Sequence, residues 1–174
     1  DAEGRFRFEH LPPQTEWFVY GLMKSLRREG SLPPRPARTG ADDESLDLGD
    51  LEVQRGLRLA GEVRTVTGEP VPTNLRVNIS YDSIWDNEAA RIDRAGKFEV
   101  TGLHAGPLQI YLNTTGGGSF EWVPSGENRS LEEWSSRSLV GVLNEDKSDL
   151  LILIRKRDRT ANSYVNNNGY LPDA

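Results

Sequence analysis

The sequence predicts an all-β protein built as an antiparallel sandwich or barrel. Short runs of alternating apolar and polar residues recur along the 174-residue chain, and a period of two is typical of strands with one buried face. The 17 glycines and 10 prolines separate these runs, as turn residues do in all-β folds. Helical patterns are confined to residues 22–29 and 131–135. In the second segment, Glu133 lies at capping-box spacing from Ser130.

The strands are predicted from the alternating runs in the order of the chain. These runs are residues 5–9, 16–22, 46–53, 57–66, 75–81, 90–92, 97–100, 108–113, 120–122 and 149–154. The last run has Leu151 and Leu153 between its other apolar residues, so we expect cover on both faces. Residues 31–44 read as a long extended loop, and residues 160–174 read as irregular.

Two turns have a residue pattern that explains them. Gly68 lies between two strand runs and can adopt a positive φ that other residues avoid. Asp93, with Gly96 three residues later, predicts a compact hairpin between residues 90–92 and 97–100. We expect the Asp93 side chain to cap its own turn rather than to bind calcium.

The pattern D-x-x-G-[RK]-F-x-[FV]-x-x-L occurs twice, at residues 1–11 and 93–103. Each occurrence is followed by a turn and a further strand run, and each unit later ends in an Asp-Leu strand. The sequence therefore predicts two like units, of which only the second is whole. Residues 1–54 are the C-terminal part of a first sandwich unit, residues 57–157 are a complete unit, and residues 158–174 are an irregular tail.

The second unit resembles a carboxypeptidase regulatory-like domain, the transthyretin-like (prealbumin-like) β-sandwich of bacterial envelope proteins. The resemblance rests on Gly61-x-Val63, Gly68-Glu69-Pro70-Val71-Pro72, Val77-x-Ile79, Asp93-x-x-Gly96-x-Phe98, Gly102-Leu103 and Gly106. It implies an antiparallel Greek-key sandwich that serves as an accessory module without catalytic residues. Residues 115–148 depart from the family pattern and look like an insertion that contains Trp122 and Trp134.

Composition excludes several classes of function. The chain has no cysteine, which removes disulfides, thiolate metal sites and cysteine nucleophiles. The net charge of −6 argues against a nucleic-acid partner, and no apolar run is long enough to span a membrane. Because the first residue is Asp1, we interpret the chain as a processed product or fragment. We expect no cofactor, no metal and no enzymatic activity.

Trp85, Trp122 and Trp134 are the candidate ligand platform, because aromatic rings on the rim of a sandwich can stack on sugars. The alternative is that they close the ends of the sandwich or cover the insertion. His10 and His104 are interpreted as loop residues.

The remaining candidate sites are given structural interpretations. Residues 42–44 read as a solvated acidic run, residues 116–118 as a flexible tip, and residues 155–159 as a basic guard of a strand edge, with contact to a polyanion as the alternative. The glycosylation pattern occurs at Asn78, Asn113 and Asn128.

The predicted function is a non-catalytic structural or interaction module of a larger extracytoplasmic or surface protein. Its partners would be the parent chain or neighbouring copies, joined by strand pairing in a homo-oligomer or filament. The alternative is a carbohydrate-binding module that takes a glycan. An incomplete first unit would expose an apolar face with Phe6, Phe8, Trp17 and Val19, and the tail at residues 164–171 is one candidate to cover it. The predicted core of the second unit is Leu59, Val63, Val77, Ile79, Phe98, Val100, Ile110 and Ile152.

Overall fold

The computed structural model describes residues 1, 3–81, 84–114, 120–123, 131–135 and 138–157, the side chains of residues 131–138 excepted. This part of the chain forms eleven strands and one short helix. In chain order they are β1 (Glu16–Val19), α1 (Met23–Leu26), β2 (Arg35–Arg38), β3 (Leu57–Thr65), β4 (Leu75–Ser80), β5 (Asn87–Arg91), β6 (Lys97–Leu103), β7 (Gly106–Thr114), β8 (Phe120–Val123), β9 (Leu131–Ser135), β10 (Ser138–Leu143) and β11 (Lys147–Lys156). The predicted all-β class is confirmed.

Two sheets make the sandwich. One has five strands in the order β5-β4-β7-β10-β9, and the other has four in the order β6-β3-β11-β8. All neighbours are antiparallel except β3 and β11, which run parallel with Ile152 opposite Val63. The predicted antiparallel sandwich therefore contains one parallel pair of strands. In this pair, the last strand of the unit, β11, lies beside its first strand, β3, and runs in the same direction.

The core lies between these two sheets. All eight predicted core residues are buried, and none is more than 4% exposed. On β4, Val77 and Ile79 are completely buried, as their shared phase in the period-two pattern requires. The other predicted members are Leu59, Val63, Phe98, Val100, Ile110 and Ile152. For these eight residues of the second unit, the alternating pattern was therefore sufficient to assign the buried face.

The turns that follow β3 and β5 connect the two layers of the sandwich. Gly68 has φ 76°, so the predicted turn after β3 is confirmed. At the second turn, the Asp93 backbone N–H donates to the carbonyl of Lys97 at 2.9 Å. However, β5 pairs with β4 whereas β6 pairs with β3. The predicted hairpin is therefore a link between sheets, since each strand finds its partner elsewhere.

The N-terminal part of the chain differs most from expectation. Only the middle one of its three predicted strands forms, as β1, and its partner β2 lies inside the predicted loop. Residues 5–9 and 46–53 form no strand, so those two predictions are wrong. The backbone of a strand needs a neighbouring strand for its hydrogen bonds, and neither segment has one here.

The two predicted helical segments have different outcomes. Helix α1 lies within predicted residues 22–29. Residues 131–135 instead form β9 and pair with β10 at the edge of the five-stranded sheet. Pairing with β10 outweighs the local capping-box pattern. Within the described ranges, no helix is long and apolar enough to cross a membrane.

Candidate functional site

The turn at residues 93–96 is held by its first residue. The carboxylate oxygen Oδ1 of Asp93 accepts hydrogen bonds from the backbone N–H groups of Ala95 and Lys97, both at 2.8 Å. Gly96 donates its backbone N–H to the Asp93 carbonyl at 3.0 Å and has φ 82°. The predicted self-capping role of Asp93 is confirmed by these contacts.

The first copy of the motif builds the same turn. Asp1 Oδ1 accepts from the backbone nitrogens of Glu3 and Arg5 at 3.2 and 2.8 Å, and Gly4 has φ 80°. The backbone nitrogen of Asp1 donates to the Arg5 carbonyl at 2.8 Å, which matches the bond from Asp93 to Lys97. The two occurrences of the sequence pattern therefore share a backbone geometry as well as their residues.

The chain behaves differently after the two turns. In the second copy, residues 97–103 form β6, and Phe98 is buried in the core. In the first copy, residues 5–9 form no strand, and Phe6 and Phe8 are 51% and 60% exposed. The rings of Phe6 and Phe8 lie 5.5 Å apart between centroids, so the two side chains share one apolar surface. We call residues 5–9 the acceptor segment.

The space beside the first turn is open. A Cβ atom built on Gly96 would lie 2.4 Å from the carbonyl oxygen of Val63 on β3, the strand that pairs with β6. A Cβ atom built on Gly4 would meet no described atom within 4 Å. The position that β3 occupies in the second copy is therefore vacant, among the described residues, in the first.

The polar side chains of the acceptor segment pair within the segment and its turn. Arg5 Nε lies 3.0 Å from Asp1 Oδ2, and Arg7 Nε lies 3.0 Å from Glu9 Oε1. These ion pairs are exposed, so their contribution to stability is small.

Apolar exposure is concentrated in the N-terminal part of the chain. Among the described residues, ten large apolar side chains are clearly exposed, and seven of them lie in residues 1–54. The seven are Phe6, Phe8, Leu11, Phe18, Leu22, Leu46 and Val53. Single exposed apolar side chains are common, but a concentration in one segment is typical of an interaction surface.

One stretch of the N-terminal part is anchored to the sandwich. Met23 is buried in the core cluster, and its backbone N–H donates to Asp86 Oδ2 at 2.7 Å. Arg27 forms an ion pair with Glu88 on β5. A Cβ atom on Gly102 would approach the Arg27 Cα at 2.7 Å, so only glycine permits this close packing. The sandwich therefore covers residues around α1 from within the same chain.

A buried aromatic pair lies near this anchor. The rings of Tyr81 and His104 stack with centroids 3.6 Å apart, and Tyr81 Oη donates to the His104 carbonyl at 2.8 Å. His104 Nδ1 lies 2.9 Å from the Ala105 carbonyl, and its Nε2 is buried with no partner in the described part of the chain. Burial lowers the pKa of His104 and raises the pKa of Tyr81. Both groups are therefore neutral near pH 7. The predicted loop position of His104 is confirmed, since it lies between β6 and β7, and its side chain is buried there.

A depression on the described surface is charged but balanced. It has a volume of about 980 Å³, and five basic and five acidic residues line it. Arg58 and Glu99 approach to 2.6 Å, as do Arg64 and Glu62. Because these charges neutralise one another, the depression has no net charge that would select a charged ligand.

The three tryptophans of the predicted platform do not share one exposed surface. Trp85 is 99% exposed in the connection before β5. Trp122 lies on β8, and its side chain is buried in the hydrophobic core of the sandwich. The side chain of Trp134 lies outside the described residues. Of the proposed platform, only Trp85 presents its ring faces to solvent in the described part of the chain.

The remaining candidate sites have ordinary surroundings. His10 is exposed with φ 58°, and Glu44 of the acidic run caps its own turn by accepting the Ala41 N–H at 2.8 Å. Arg155 pairs with Glu121 across β11 and β8. Among the described residues, no three His, Cys, Asp or Glu side chains cluster in a way that could hold a metal ion.

The three glycosylation patterns fall in different surroundings. Asn78 is buried on β4, so its amide is inaccessible in the folded chain, whereas Asn113 is exposed on β7. Asn128, the tip at residues 116–118 and the tail at residues 160–174 lie outside the described residues.

Sequence reasoning missed the anchor at α1. Asp86 is the acceptor for Met23, but an isolated carboxylate in a loop has no sequence signal for that role. The exposure of Phe6 and Phe8, by contrast, was predicted from the repeat and is confirmed.

Comparison of the chain with protein-family models, with curated proteins and with solved structures found no match.

Proposed function

We propose that this chain is a non-catalytic structural and interaction module that works through sandwich packing and strand pairing. The observation behind this proposal is the contrast between a well-buried sandwich core and the exposed apolar side chains of residues 1–54. At roughly 25 cal/mol per Å² of apolar surface, covering even a few hundred Å² contributes several kcal/mol, against which the loss of freedom on association must be set. The apolar N-terminal part is therefore the surface that contacts a partner.

The setting in this proposal is a larger extracytoplasmic or surface protein. The resemblance of residues 57–157 to carboxypeptidase regulatory-like domains supports that setting, because these domains are accessory modules of bacterial envelope proteins. Detection of a secretion signal in the precursor polypeptide would support it further. A precursor without such a signal would count against it.

Sedimentation velocity of the full chain tests the assembly function. We expect the sedimentation coefficient to rise with the concentration of the chain. A variant with serine at Phe6, Phe8, Phe18 and Leu22 is expected to remain monomeric. Val142→Ser, which changes an exposed apolar residue on the five-stranded sheet, is the matched control and is expected to associate normally. A parent chain that stays monomeric throughout would contradict the assembly function.

Carbohydrate binding is the second candidate, and the full exposure of Trp85 is the observation that favours it. A single exposed indole can stack on one sugar ring. Binding on a glycan array that disappears in Trp85→Ala would replace the first proposal by this one. Absence of any glycan signal from the parent chain would remove this second candidate.

A further inference from the structure

We propose that the acceptor segment, residues 5–9, takes up an additional antiparallel strand from another sandwich unit. The occupant is the opening strand of that unit, the counterpart of β3, with glycine opposite Phe6 and carboxylates opposite Arg5 and Arg7. This inference rests on the proposed function, because it names the place and the partner of the strand pairing. Added strands are held by backbone hydrogen bonds, and alternate side chains provide the specificity.

The register of β6 against β3 defines what the occupant must look like. In the second copy, Phe98 pairs with Gly61 and Val100 pairs with Leu59. The repeat places Phe6 at the position of Phe98. An aromatic ring opposite glycine has room to lie across the neighbouring strand, whereas a larger opposing residue would crowd it. The occupant therefore has glycine at this position and a branched apolar residue two positions earlier.

The turn at Gly4 also supports the addition of a strand. In the second copy, the backbone N–H of Val63 donates to the carbonyl of Gly96 at 2.8 Å. This bond is the first rung between β3 and the strand that follows the turn. Gly4 has the same turn geometry, and no atom of the described residues lies within 4 Å of a Cβ built on it. Its carbonyl is therefore placed to accept the equivalent bond from an incoming strand.

The charges of the acceptor segment do not match those of this chain's own β3. Arg5 takes the place of Lys97, which pairs with Glu62, so an acidic residue fits there. Arg7 takes the place of Glu99, whose carboxylate binds Arg58 at 2.6 Å. The charge of Arg7 is opposite to that of Glu99. The occupant therefore needs a carboxylate at the position where β3 has Ala60, which lies close to Arg58.

Strand β3 is also already occupied on both sides, by β6 and β11. Releasing it would open the middle of the four-stranded sheet. The occupant is therefore a strand other than β3, with the same pattern and with acidic residues facing the two arginines.

Peptide binding to the full chain tests this inference. The probe is a nine-residue peptide, Leu-Arg-Leu-Glu-Gly-Glu-Val-Arg-Thr, which is the β3 sequence with Ala60→Glu. We expect saturable binding with a Kd below about 1 mM, seen as NMR shifts of the backbone amides of residues 5–9. A control peptide with lysine at both glutamate positions is expected to bind at least about tenfold more weakly, because like charges would face each other.

Two variants of the chain locate the binding. Phe6→Ser combined with Phe8→Ser is expected to abolish peptide binding, and both residues are exposed, so the fold is retained. Val142→Ser is expected to bind the peptide as the parent does. No saturable binding, equal binding of the lysine peptide, or binding that survives the double substitution would each overturn the inference.

The outcome is separable from that of the sedimentation experiment. Self-association without peptide binding would remove this inference and leave the assembly function in place. Peptide binding by a strictly monomeric chain would support strand addition and remove self-assembly.

Discussion

Replacing Gly96 by alanine is expected to destabilise the sandwich, whereas the same replacement at Gly4 is expected to leave its stability nearly unchanged. Both glycines have φ near 80° in the same type of turn. An L-residue in this left-handed conformation costs about 1–2 kcal/mol. At Gly96 the new Cβ would also lie 2.4 Å from the Val63 carbonyl oxygen, and at Gly4 it would meet no described atom within 4 Å. The pair therefore compares the same turn with and without a described strand beside it.

The magnitude at Gly96 follows from two contributions. Relief of the clash moves the turn away from β3 and weakens the 2.8 Å bond from the Val63 N–H to the Gly96 carbonyl, which is worth about 1 kcal/mol. Together with the strain, the free energy of unfolding should fall by about 2–3 kcal/mol. For a chain of this size, that lowers the Tm by roughly 5–10 °C. At Gly4 the strain affects only an exposed turn, so global unfolding should change by less than about 0.5 kcal/mol.

Urea unfolding followed by tryptophan fluorescence and by circular dichroism measures both variants against the parent chain. Equal m-values would show that the same surface is exposed on unfolding in each variant. Equal destabilisation by Gly4→Ala and Gly96→Ala would refute the reasoning, because only Gly96 has a strand beside it. A loss below about 0.5 kcal/mol at Gly96 would refute it as well.

Three further predictions concern the anchor, the buried histidine and the exposed tryptophan. Met23→Ala should lower stability by about 2–5 kcal/mol in a single urea transition, because Met23 is buried in the sandwich core; a second, separate transition would contradict the shared core. The pKa of His104 is lowered by burial, so the unfolded chain binds this proton more readily than the folded chain. Stability should therefore fall as the pH drops below about 6.5, and His104→Gln should remove that part of the pH dependence in urea titrations; an unchanged slope would contradict it. Trp85→Ala should change stability by less than about 0.5 kcal/mol, since the side chain is fully exposed; a larger loss in thermal unfolding would show that the indole packs on something.

The sequence was sufficient where the signal is local and periodic. Val77 and Ile79 were placed in the core by their alternation with polar residues, and both are completely buried. The positive φ of Gly68 and the self-capping of Asp93 depend on neighbours within four residues. In the candidate site, the repeat predicted the shared turn at Asp1, because all of its hydrogen bonds are made within residues 1–5.

The tertiary structure decided which segments meet. The exposed state of Phe6 and the buried state of Phe98 arise from nearly the same local sequence, and the difference is the presence of β3 beside one of them. The parallel pairing of β11 with β3, the strand at residues 131–135 and the burial of Met23 depend on partners far away in the chain. A strand is stable only when a neighbour satisfies its backbone hydrogen bonds and covers its apolar face. The alternation of apolar residues in a single segment shows which face of a strand must be buried. Whether another strand or sheet buries that face is decided only by the folded chain.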